Sequence, residues 1–468
     1  MKRKIKILYV SAEVAPYAQV GGLSEVGRSF PEALMAAGGF EVVRVMPLYQ
    51  SVNCSLKYVA DYSVPMDQGY ETCVLKKDPD AKEVPTYFIS NDRYFRRDRI
   101  YAYEDDGLRF FFFCRAVVQM LQSISFHPDI VHVNDWHTGM LPLLLKKEFP
   151  GIKSVYTIHN IAYQGFIPAA FLEGYLSEAE KLRLGHPEWL NFMKAGIIYA
   201  DLITTVSPGY AKELGMEEHS HGMGALLEER GDKIAGILNG IDMEHYNPQS
   251  DKLIPYPYDA GHPELKKKNR THLRGLYGLP DKDIPLMAMV TRLDQAKGID
   301  ILLKAISYSR LSTYQLIILG SGNPYYHGIL SGVTATYGKN IVADFCYSEA
   351  LARQVYAAAD IYLMPSLFEP CGLGQMYAMR YGAVPVVNPV GGLRDTVIPP
   401  GQGRDRANGF HMECWSGQAL AKEMERAVTA YHSPEWRKYI RNGMRMDFSW
   451  QNSVLEYRKY YRELLGRT

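Results

Sequence analysis

The sequence predicts an α/β protein made of two doubly wound domains, each with a parallel sheet covered by helices on both faces. Three observations predict this fold. Apolar runs of strand length alternate with amphipathic helical patterns over most of the chain. The runs are continuously apolar, which is typical of parallel strands buried on both faces. The 468 residues also exceed the ~100–200 expected of one domain, so two domains are predicted.

The first half contains seven apolar runs that we interpret as strands. They are Ile5–Ser11, Glu41–Pro47, Val84–Ser90, Asp129–Asn134, Ser154–His159, Leu202–Ser207 and Ile234–Leu238. Helical patterns lie between them. Leu108–Ser123 is the clearest, because it is apolar on one face and begins just after Gly107.

The second half repeats the alternation. Its predicted strands are Leu286–Thr291, Gln315–Leu319, Ile341–Phe345, Ile361–Pro365 and Val384–Asn388, with helices that include Ile299–Ser309 and Leu351–Ala359. The last two predicted helices, Pro434–Met446 and Gln451–Leu465, are not followed by a strand.

The predicted domain boundary follows Asn247-Pro248, where the pattern gives way to a stretch rich in Pro, Tyr and Asp that ends near Pro263. The run Lys266–Lys268 then precedes a predicted helix. We interpret this run as a solvated helix face and not as a binding patch.

Composition excludes several classes of function. The 52 basic and 51 acidic residues leave a net charge of +1, which gives no footprint for nucleic acid or an anionic membrane surface. No apolar run approaches the ~18 residues of a membrane span. The cysteines are scattered singly, so neither a zinc site nor a disulfide framework is expected, and a cytoplasmic enzyme is predicted. These cysteines are Cys54, Cys73, Cys114, Cys346, Cys371 and Cys414.

Two glycine-rich junctions follow predicted strands. In SAEVAPYAQVGGL, Gly21 and Gly22 open a helix, where free backbone N–H groups can approach a phosphate; a simple tight turn is an equally good explanation. In ILGSGNP, Gly320 and Gly322 begin a dinucleotide fingerprint, but Tyr325 stands where its third glycine belongs, which argues against a dehydrogenase.

The loop VTRLDQAKG places Arg292 and Lys297 just beyond the carboxyl end of a predicted strand, where α/β sheets bind ligands. Two cations on one loop suit a diphosphate leaving group, whose negative charge grows as its bond to a sugar breaks. Taken alone, the pair would more often be surface cations.

Glu369, in MPSLFEPCGLGQ, follows another predicted strand and precedes the Cys-Gly pair that we expect to open a helix. A carboxylate here can bind sugar hydroxyls, while the amides of Gly372 and Leu373 face a phosphate. The alternative is that Glu369 only caps the helix.

Two strands of the first half end in polar clusters. These clusters supply Asp135, Trp136 and His137 from VHVNDWHTG, and His159, Asn160, Tyr163 and Gln164 from TIHNIAYQG. The histidines lack the spacing of a metal site, so no metal is expected. Sugar recognition through aromatic faces and hydrogen bonds fits the clusters better.

In this order, the segments resemble the family of bacterial glycogen synthases and plant starch synthases, which are retaining glucosyltransferases. The resemblance covers nearly the whole chain and includes YVSAEVAPYA, NDWHTG, TIHNIAYQG, VTRLDQAKG, FEPCGLGQ and the terminal DFSWQNSVLEYRKYYREL. It implies a GT-B fold, with two Rossmann-like domains facing a central cleft. The first would comprise residues 1–247, completed by a helix in 448–468 that crosses back to it, and the second residues 248–447.

The resemblance implies transfer of glucose from ADP-glucose, a substrate and not a cofactor, to the nonreducing end of an α-1,4-glucan. By position, Arg292 and Lys297 would bind the diphosphate and Glu369 the donor glucose, with Asp135 and His159 at the reacting sugar. Further donor contacts would come from Gly21, Gly22, Asn239, Gly322, Tyr347, Cys371, Gly372 and Leu373, with Tyr347 packing against the nucleobase. Acceptor contacts would come from Trp136, His137, Asn160, Tyr163 and Gln164.

Two positions depart from the family pattern. Gln19 stands where the family usually has a lysine that binds the donor phosphates, and Glu25 stands where it usually has an aspartate. Two alternatives remain open beside the ADP-glucose enzyme. One is a synthase that uses UDP-glucose, because one aromatic face stacks on any base. The other, which Gln19 suggests, is a noncatalytic glucan-binding relative.

Overall fold

The computed structural model describes residues 3–66, 69–81, 83–173, 175–186, 188–231 and 234–467. The chain divides into two compact units. The first contains the residues up to 240 together with those from 450 onward, and the second contains residues 241–449. The boundaries expected from the sequence, after residues 247 and 447, lie a few residues from these positions.

Within its described residues, the first unit begins with twelve strands and eight α-helices. They are β1 (Ile5–Val10), α1 (Gly22–Ala36), β2 (Phe40–Pro47), β3 (Lys57–Met66), β4 (Gly69–Lys77), β5 (Thr86–Ser90), α2 (Asp92–Phe95), α3 (Asp106–Ser123), β6 (Ile130–Asn134), α4 (Leu141–Glu148), β7 (Lys153–Ile158), β8 (Phe166–Pro168), α5 (Glu178–Leu184), β9 (Gly185–His186), β10 (Trp189–Asn191), α6 (Phe192–Tyr199), β11 (Leu202–Thr205), α7 (Pro208–Leu214), α8 (Gly224–Arg230) and β12 (Ile234–Gly236).

The second unit contains six strands and eight α-helices, after which the chain returns to the first unit. Its elements are α9 (Lys266–Leu276), β13 (Leu286–Val290), α10 (Ile299–Tyr308), β14 (Gln315–Leu319), α11 (Pro324–Tyr337), β15 (Ile341–Asp344), α12 (Glu349–Ala358), β16 (Ile361–Met364), α13 (Gly374–Arg380), β17 (Val384–Val387), α14 (Gly391–Thr396), β18 (Phe410–His411), α15 (Gly417–Tyr431) and α16 (Trp436–Arg445). The last helix, α17 (Trp450–Leu464), belongs to the first unit.

Each unit is built on a large sheet. The first has the strand order β12-β11-β7-β6-β1-β2-β5-β4-β3, and the second has β15-β14-β13-β16-β17-β18. Within these two sheets, all pairs are parallel except that β4 runs antiparallel to both β3 and β5. The first unit also contains a small antiparallel sheet of order β8-β10-β9. The predicted doubly wound α/β fold is therefore confirmed, and all twelve strands expected from the sequence are present.

Strand order reverses at one point in each sheet. In the first, β2 pairs with one side of β1 and β6 with the other. In the second, β14 and β16 flank β13 in the same way. Because helices leave such a junction in opposite directions, the loops at the carboxyl ends of these strands border a crevice where ligands bind.

Several helix starts follow directly from the sequence. The side chains of Ser207, Ser348 and Ser416 each accept a hydrogen bond from the N–H of the third residue onward, at the beginnings of α7, α12 and α15. These caps satisfy donors that have no acceptor within the helix.

Helix α17 completes a core cluster of the first unit. Trp450, Val454, Tyr457 and Tyr461 are buried in this cluster beside Phe30 of α1. The Trp450 indole N–H donates to Ser29 Oγ at 2.8 Å, and the rings of Phe30 and Tyr457 lie 4.5 Å apart. No helix among the described residues is long and apolar enough to cross a membrane.

The interpretation of Lys266–Lys268 as a solvated helix face is wrong for its first residue. Lys266 is buried, and its Nζ donates to the carbonyl oxygens of Tyr356, Ala357 and Tyr381 at 2.8–2.9 Å. These carbonyls end α12 and follow α13, where helices leave acceptors without intrahelical donors. Only Lys267 and Lys268 are exposed.

Candidate active site

The loop after β1 is organised by a carboxylate that the sequence reasoning missed. Glu13 is buried, and its Oε2 accepts hydrogen bonds from the N–H groups of Val20 (2.7 Å) and Gly21 (3.0 Å). Its Oε1 accepts from the Tyr101 hydroxyl at 2.7 Å. A charged residue inside the otherwise apolar segment AEVAP was the available signal.

The glycine pair lies at the start of α1, as predicted. Gly21 is the N-cap residue and Gly22 the first helical residue, and both are exposed. First-turn N–H groups have no intrahelical acceptor, so Gly22 and Leu23 offer donors to an anion at this helix end. Gln19 lies in the same loop with its side chain exposed.

Asp135 joins the ends of β6 and β7. Its backbone has a positive φ of 54°, and its Oδ1 accepts from the N–H groups of His159 (2.7 Å) and Asn160 (3.1 Å). Burial raises the pKa of this carboxyl to about 7, although the two N–H donors oppose the shift. Asp135 can therefore hold or release a proton near neutral pH.

His159 lies beside Asp135 as a neutral ring. Burial lowers the pKa of its imidazole to about 3. Its Nε2 lies 2.9 Å from Asn134 Oδ1, and the Asn134 amide nitrogen already donates to the Val10 carbonyl. Asn134 Oδ1 is thus the acceptor, so His159 carries its proton on Nε2 and keeps Nδ1 as an acceptor.

The predicted acceptor residues differ in exposure. Trp136 and His137 stack at 4.2 Å, and His137 is only 6% exposed because Tyr101 and Phe110 also pack on it. Tyr163 is 56% exposed. A buried ring such as His137 can support Trp136, whereas an exposed ring such as Tyr163 can stack on a sugar.

The remaining polar residues of this set also serve the local structure. Asn160 Oδ1 accepts from the N–H of Ala162 at 3.0 Å. Gln164 donates to the His221 carbonyl and accepts from Asn191. Asn239, a further predicted donor contact of this unit, is buried after β12, and its N–H donates to the Val206 carbonyl at 3.2 Å.

In the second unit, the loops after β13 and β16 bring together Lys297 and Glu369. Lys297 Nζ donates to Glu369 Oε2 at 2.7 Å, and Ser366 Oγ, which the sequence reasoning missed, donates to the same oxygen at 3.0 Å. Glu369 is buried, and among the described residues its Oε1 has no hydrogen-bond partner. That oxygen remains for a ligand hydroxyl.

Glu369 is not a helix cap. Helix α13 begins at Gly374 with Leu373 as its N-cap, two residues later than expected, and no side chain caps it. The alternative interpretation of Glu369 is therefore wrong, since its carboxylate pairs with Lys297.

Arg292 adds a second, exposed cation to this edge of the sheet. Its Nη2 lies 3.7 Å from Asp294 Oδ2. Asp294 also caps the turn that carries Lys297, because its Oδ1 accepts from the Lys297 N–H at 3.0 Å. Surface pairs of this length contribute little, so Arg292 can leave Asp294 for a more charged ligand.

Close packing of glycines sets the position of both loops. A Cβ on Gly298 would lie 2.1 Å from the Pro365 carbonyl oxygen, and one on Gly391 would lie 2.1 Å from that of Glu369. Both residues have a positive φ. The role of Gly391, in the VGGL segment at residues 390–393, was not predicted from the sequence.

The other predicted donor contacts lie in loops of the second unit. Gly372 has a φ of 70°, and the buried Gln375 donates to the carbonyls of Gly372 (2.8 Å) and Cys371 (3.2 Å). Gly322 forms a bridge with Leu293, and Tyr347 is exposed.

The loops at the carboxyl ends of the two sheets carry different chemical groups. The second unit offers two cations and a carboxylate, which suit a sugar diphosphate, while the first offers a protonatable carboxyl and a neutral imidazole. No group of three or more His, Cys, Asp or Glu side chains suited to a metal ion occurs within the part of the chain that the structure describes.

Family profiles match both units. Residues 6–229 match the profile described as starch synthase catalytic domain, and residues 278–445 match that of glycosyl transferases group 1. A glycogen synthase of Moorella thermoacetica is 42% identical, over 100% of this chain and 98% of its own. A glycogen synthase of Caldicellulosiruptor bescii is 39% identical, over 99% and 100%.

Solved structures show the same similarity. The catalytic domain of starch synthase IV from Arabidopsis thaliana, bound to ADP and acarbose, superposes with a TM-score of 0.93 at 29% identity, covering 99% of this chain and 100% of that one. A sucrose-phosphate synthase of Thermosynechococcus elongatus has a TM-score of 0.66 at 21% identity over 99% and 100%, which shows the fold.

Proposed function

Because this chain belongs to the family of glycogen and starch synthases, glycosyltransferases of the GT-B fold, we propose that it transfers glucose from ADP-glucose to the nonreducing end of an α-1,4-glucan. The anomeric configuration is retained. The observation that carries the donor side of this proposal is the Lys297–Glu369 pair, with Arg292 exposed beside it.

On the donor side, Arg292 and Lys297 bind the diphosphate. Their positive charge stabilises the leaving group, because its negative charge increases as the bond to glucose breaks. Glu369 accepts a hydrogen bond from a hydroxyl of the donor glucose through its unpaired Oε1. The N–H groups near Gly372 and Leu373 support the phosphate.

On the acceptor side, Asp135 and His159 lie at the reacting sugar. The acceptor hydroxyl attacks the anomeric carbon from the face that the leaving group vacates, and its proton passes to the departing phosphate oxygen. The neutral His159 and the buried Asp135 orient hydroxyls without adding a fixed charge. Trp136 and Tyr163 offer ring faces to the glucan.

ADP is favoured as the nucleotide because the similar starch synthase IV domain was solved with ADP bound. Tyr347, exposed after β15, would stack on the base, and an aromatic face alone does not select one base. We propose that the reaction needs no cofactor or metal, and that it takes place in the cytoplasm, where the scattered single cysteines stay reduced.

The test is nucleotide release from ADP-glucose and from UDP-glucose, with glycogen or maltoheptaose as acceptor and no added metal. We expect release of ADP that depends on the acceptor. Release of UDP alone would preserve the reaction and overturn the proposed donor. Failure of a folded protein to release either nucleotide, while it still binds glucan, would establish the noncatalytic alternative.

Glu369→Gln is the decisive variant. It removes the charge that pairs with Lys297 and weakens the hold on the donor, so turnover should fall about 100-fold while the melting temperature changes little. Glu413→Gln is the matched control, since Glu413 is an exposed carboxylate of the same unit that pairs with Lys422. Near-normal turnover of Glu369→Gln would refute the role given to Glu369.

A further inference from the structure

A cavity of about 410 Å³ in the first unit is lined by four arginines. It lies at the amino ends of β1 and β2, next to Ile5 and Phe40, the first residues of those strands. Arg458 and Arg462 come from the second half of α17. The other two are Arg3, just before β1, and Arg467, just after α17.

The positive charge in this cavity is only partly compensated. Arg3 and Arg467 share one carboxylate oxygen, Asp129 Oδ1, at 3.0 Å each. Among the described residues, the Arg462 guanidinium has no hydrogen-bond or ion-pair partner, and the buried Nη1 of Arg467 has none either. Among the described residues, the four lining cations and the one carboxylate that pairs with them sum to a charge of about +3.

A purely structural explanation accounts for part of the cluster. Arg458 Nη2 donates to the carbonyls of Ala37 (2.9 Å) and Gly38 (2.8 Å), the two residues that follow α1. Arg462 lies in the last turn of α17, where a cation favours the helix dipole. Neither the hydrogen bonds of Arg458 nor the interaction of Arg462 with the helix dipole explains why four guanidinium groups line one cavity. Like charges repel each other there unless an anion binds between them.

We propose that this cavity is a binding site for a phosphorylated small molecule. Guanidinium groups bind phosphate through paired N–H donors, and several around one cavity suit a dianion or a polyphosphate. The volume falls within the ~300–1,000 Å³ of small-molecule sites. A nucleic acid would instead require an extended basic stripe, whereas the chain as a whole carries only +1.

This site is separate from the edge that carries Asp135 and the glycine loop. Both lie in the first unit, but the arginines gather at the amino ends of the strands and the proposed catalytic residues at the carboxyl ends. The six residues of β1 separate the two edges by about 20 Å. One small ligand cannot span both.

The test is calorimetric titration of inorganic pyrophosphate into the full chain at low salt. Arg3→Ala combined with Arg462→Ala removes two lining cations, neither of which is buried. Arg441→Ala combined with Arg445→Ala removes two exposed arginines of α16 and is the matched control. We expect affinity to fall about tenfold or more in the first double variant and to stay unchanged in the second.

Lys297→Ala separates this site from the proposed donor site, and it should keep the pyrophosphate binding that depends on Arg3 and Arg462. Displacement of pyrophosphate by a nucleoside phosphate or by a sugar phosphate would show which molecule carries the phosphate. Equal affinity in wild type and the Arg3/Arg462 variant would overturn the proposal. So would an equal loss in both double variants, or arginine-dependent binding of a single-stranded oligonucleotide without binding of pyrophosphate.

Discussion

At the scale of single residues, Asp135 is a group of the candidate site whose pKa the fold moves to near neutral pH. Its carboxyl has a pKa of about 7 in the folded chain, against a usual value of 3.8. The folded state therefore binds this proton more tightly than the unfolded state does. This tighter binding contributes to the free energy of unfolding. The contribution has its full value below about pH 4 and is lost as the pH rises through 7.

We predict that Asp135→Asn removes this dependence. The amide oxygen still accepts from the N–H groups of His159 and Asn160, while the ionisable group is gone. Between pH 5 and pH 8, wild type should lose about 2–3 kcal/mol of unfolding free energy relative to Asp135→Asn. Urea unfolding followed by circular dichroism at the two pH values measures this difference.

Asp80→Asn provides the control for that experiment, because Asp80 is exposed. The difference between this variant and wild type should be the same at both pH values. If Asp135→Asn behaved in the same way, the tight proton binding inferred for Asp135 would be wrong.

A second prediction concerns Gln19. The side chain is exposed in the loop just before α1, the helix whose first-turn amides can bind an anion. A lysine there should add a charge-assisted contact to a donor phosphate without disturbing packing. Gln19→Lys should lower the KM for the nucleotide sugar about tenfold with little change in kcat. Gln19→Met, similar in length but uncharged, should not lower it.

The same kinetic measurement also distinguishes an active synthase from an inactivated relative. A dead wild type that becomes active as Gln19→Lys would identify an inactivated relative. Equal KM values for wild type, Gln19→Lys and Gln19→Met would mean that position 19 does not reach the donor.

The sequence was informative at the site for the charged residues that follow two neighbouring strands of the second unit. Lys297 and Glu369 were proposed separately, and the structure places them 2.7 Å apart because their strands, β13 and β16, are neighbours. Glu13 was missed, since its role depends on a loop that folds back to present the amides of Val20 and Gly21. The local sequence pattern does not show that this loop folds back onto Glu13.

At the scale of elements, α17 is joined to the sheet by a buried polar chain. The Tyr461 hydroxyl lies 2.6 Å from His132 Nδ1, and His132 Nε2 lies 2.6 Å from Thr157 Oγ1. Burial lowers the pKa of His132 to about 3, so the ring is neutral and needs both partners.

We predict that Tyr461→Phe destabilises the protein by about 1–3 kcal/mol, because it leaves a buried ring nitrogen unpaired. Tyr460→Phe is the control on the same helix, since Tyr460 is only partly buried, and should cost less than about 0.5 kcal/mol. Urea unfolding midpoints compare the two variants. Equal midpoints would show that the hydroxyl of Tyr461 contributes nothing to the docking of α17.

The burial of each strand explains which strands were predicted from the sequence. The parallel strands, apart from the two-residue β18, were found because both faces are buried, as in β14, whose residues are all buried. The pair β3 and β4 was missed, because it forms the antiparallel edge of the sheet and is largely exposed. Its buried side chains are too few to form an apolar run.

At the scale of the whole molecule, the first unit is made of two chain segments and the second of one. The two connecting stretches run side by side, since the Ile241 N–H donates to the Phe448 carbonyl at 2.7 Å. The chain leaves and re-enters the first unit at neighbouring positions. The second unit is thus an insertion between β12 and α17.

This topology makes the first unit dependent on the last residues of the chain. Trp450, Val454, Tyr457 and Tyr461 are all buried in its core. At about 1.5–3 kcal/mol for each buried side chain, their removal costs about 6–12 kcal/mol. That is as large as the whole free energy of unfolding of a typical domain, about 5–15 kcal/mol.

We therefore predict different behaviour for three shortened chains. Residues 241–449 should fold alone with a cooperative thermal transition, because they are contiguous and contain their own core. Residues 1–240 should bind a hydrophobic dye and aggregate. Joining residues 1–240 to 450–468 by about four glycines should restore cooperative unfolding, because the two ends lie close together. Cooperative unfolding of residues 1–240 alone would show that α17 docks on a unit that is already stable. The four buried side chains of α17 would then contribute only a minor part of the free energy of unfolding of that unit.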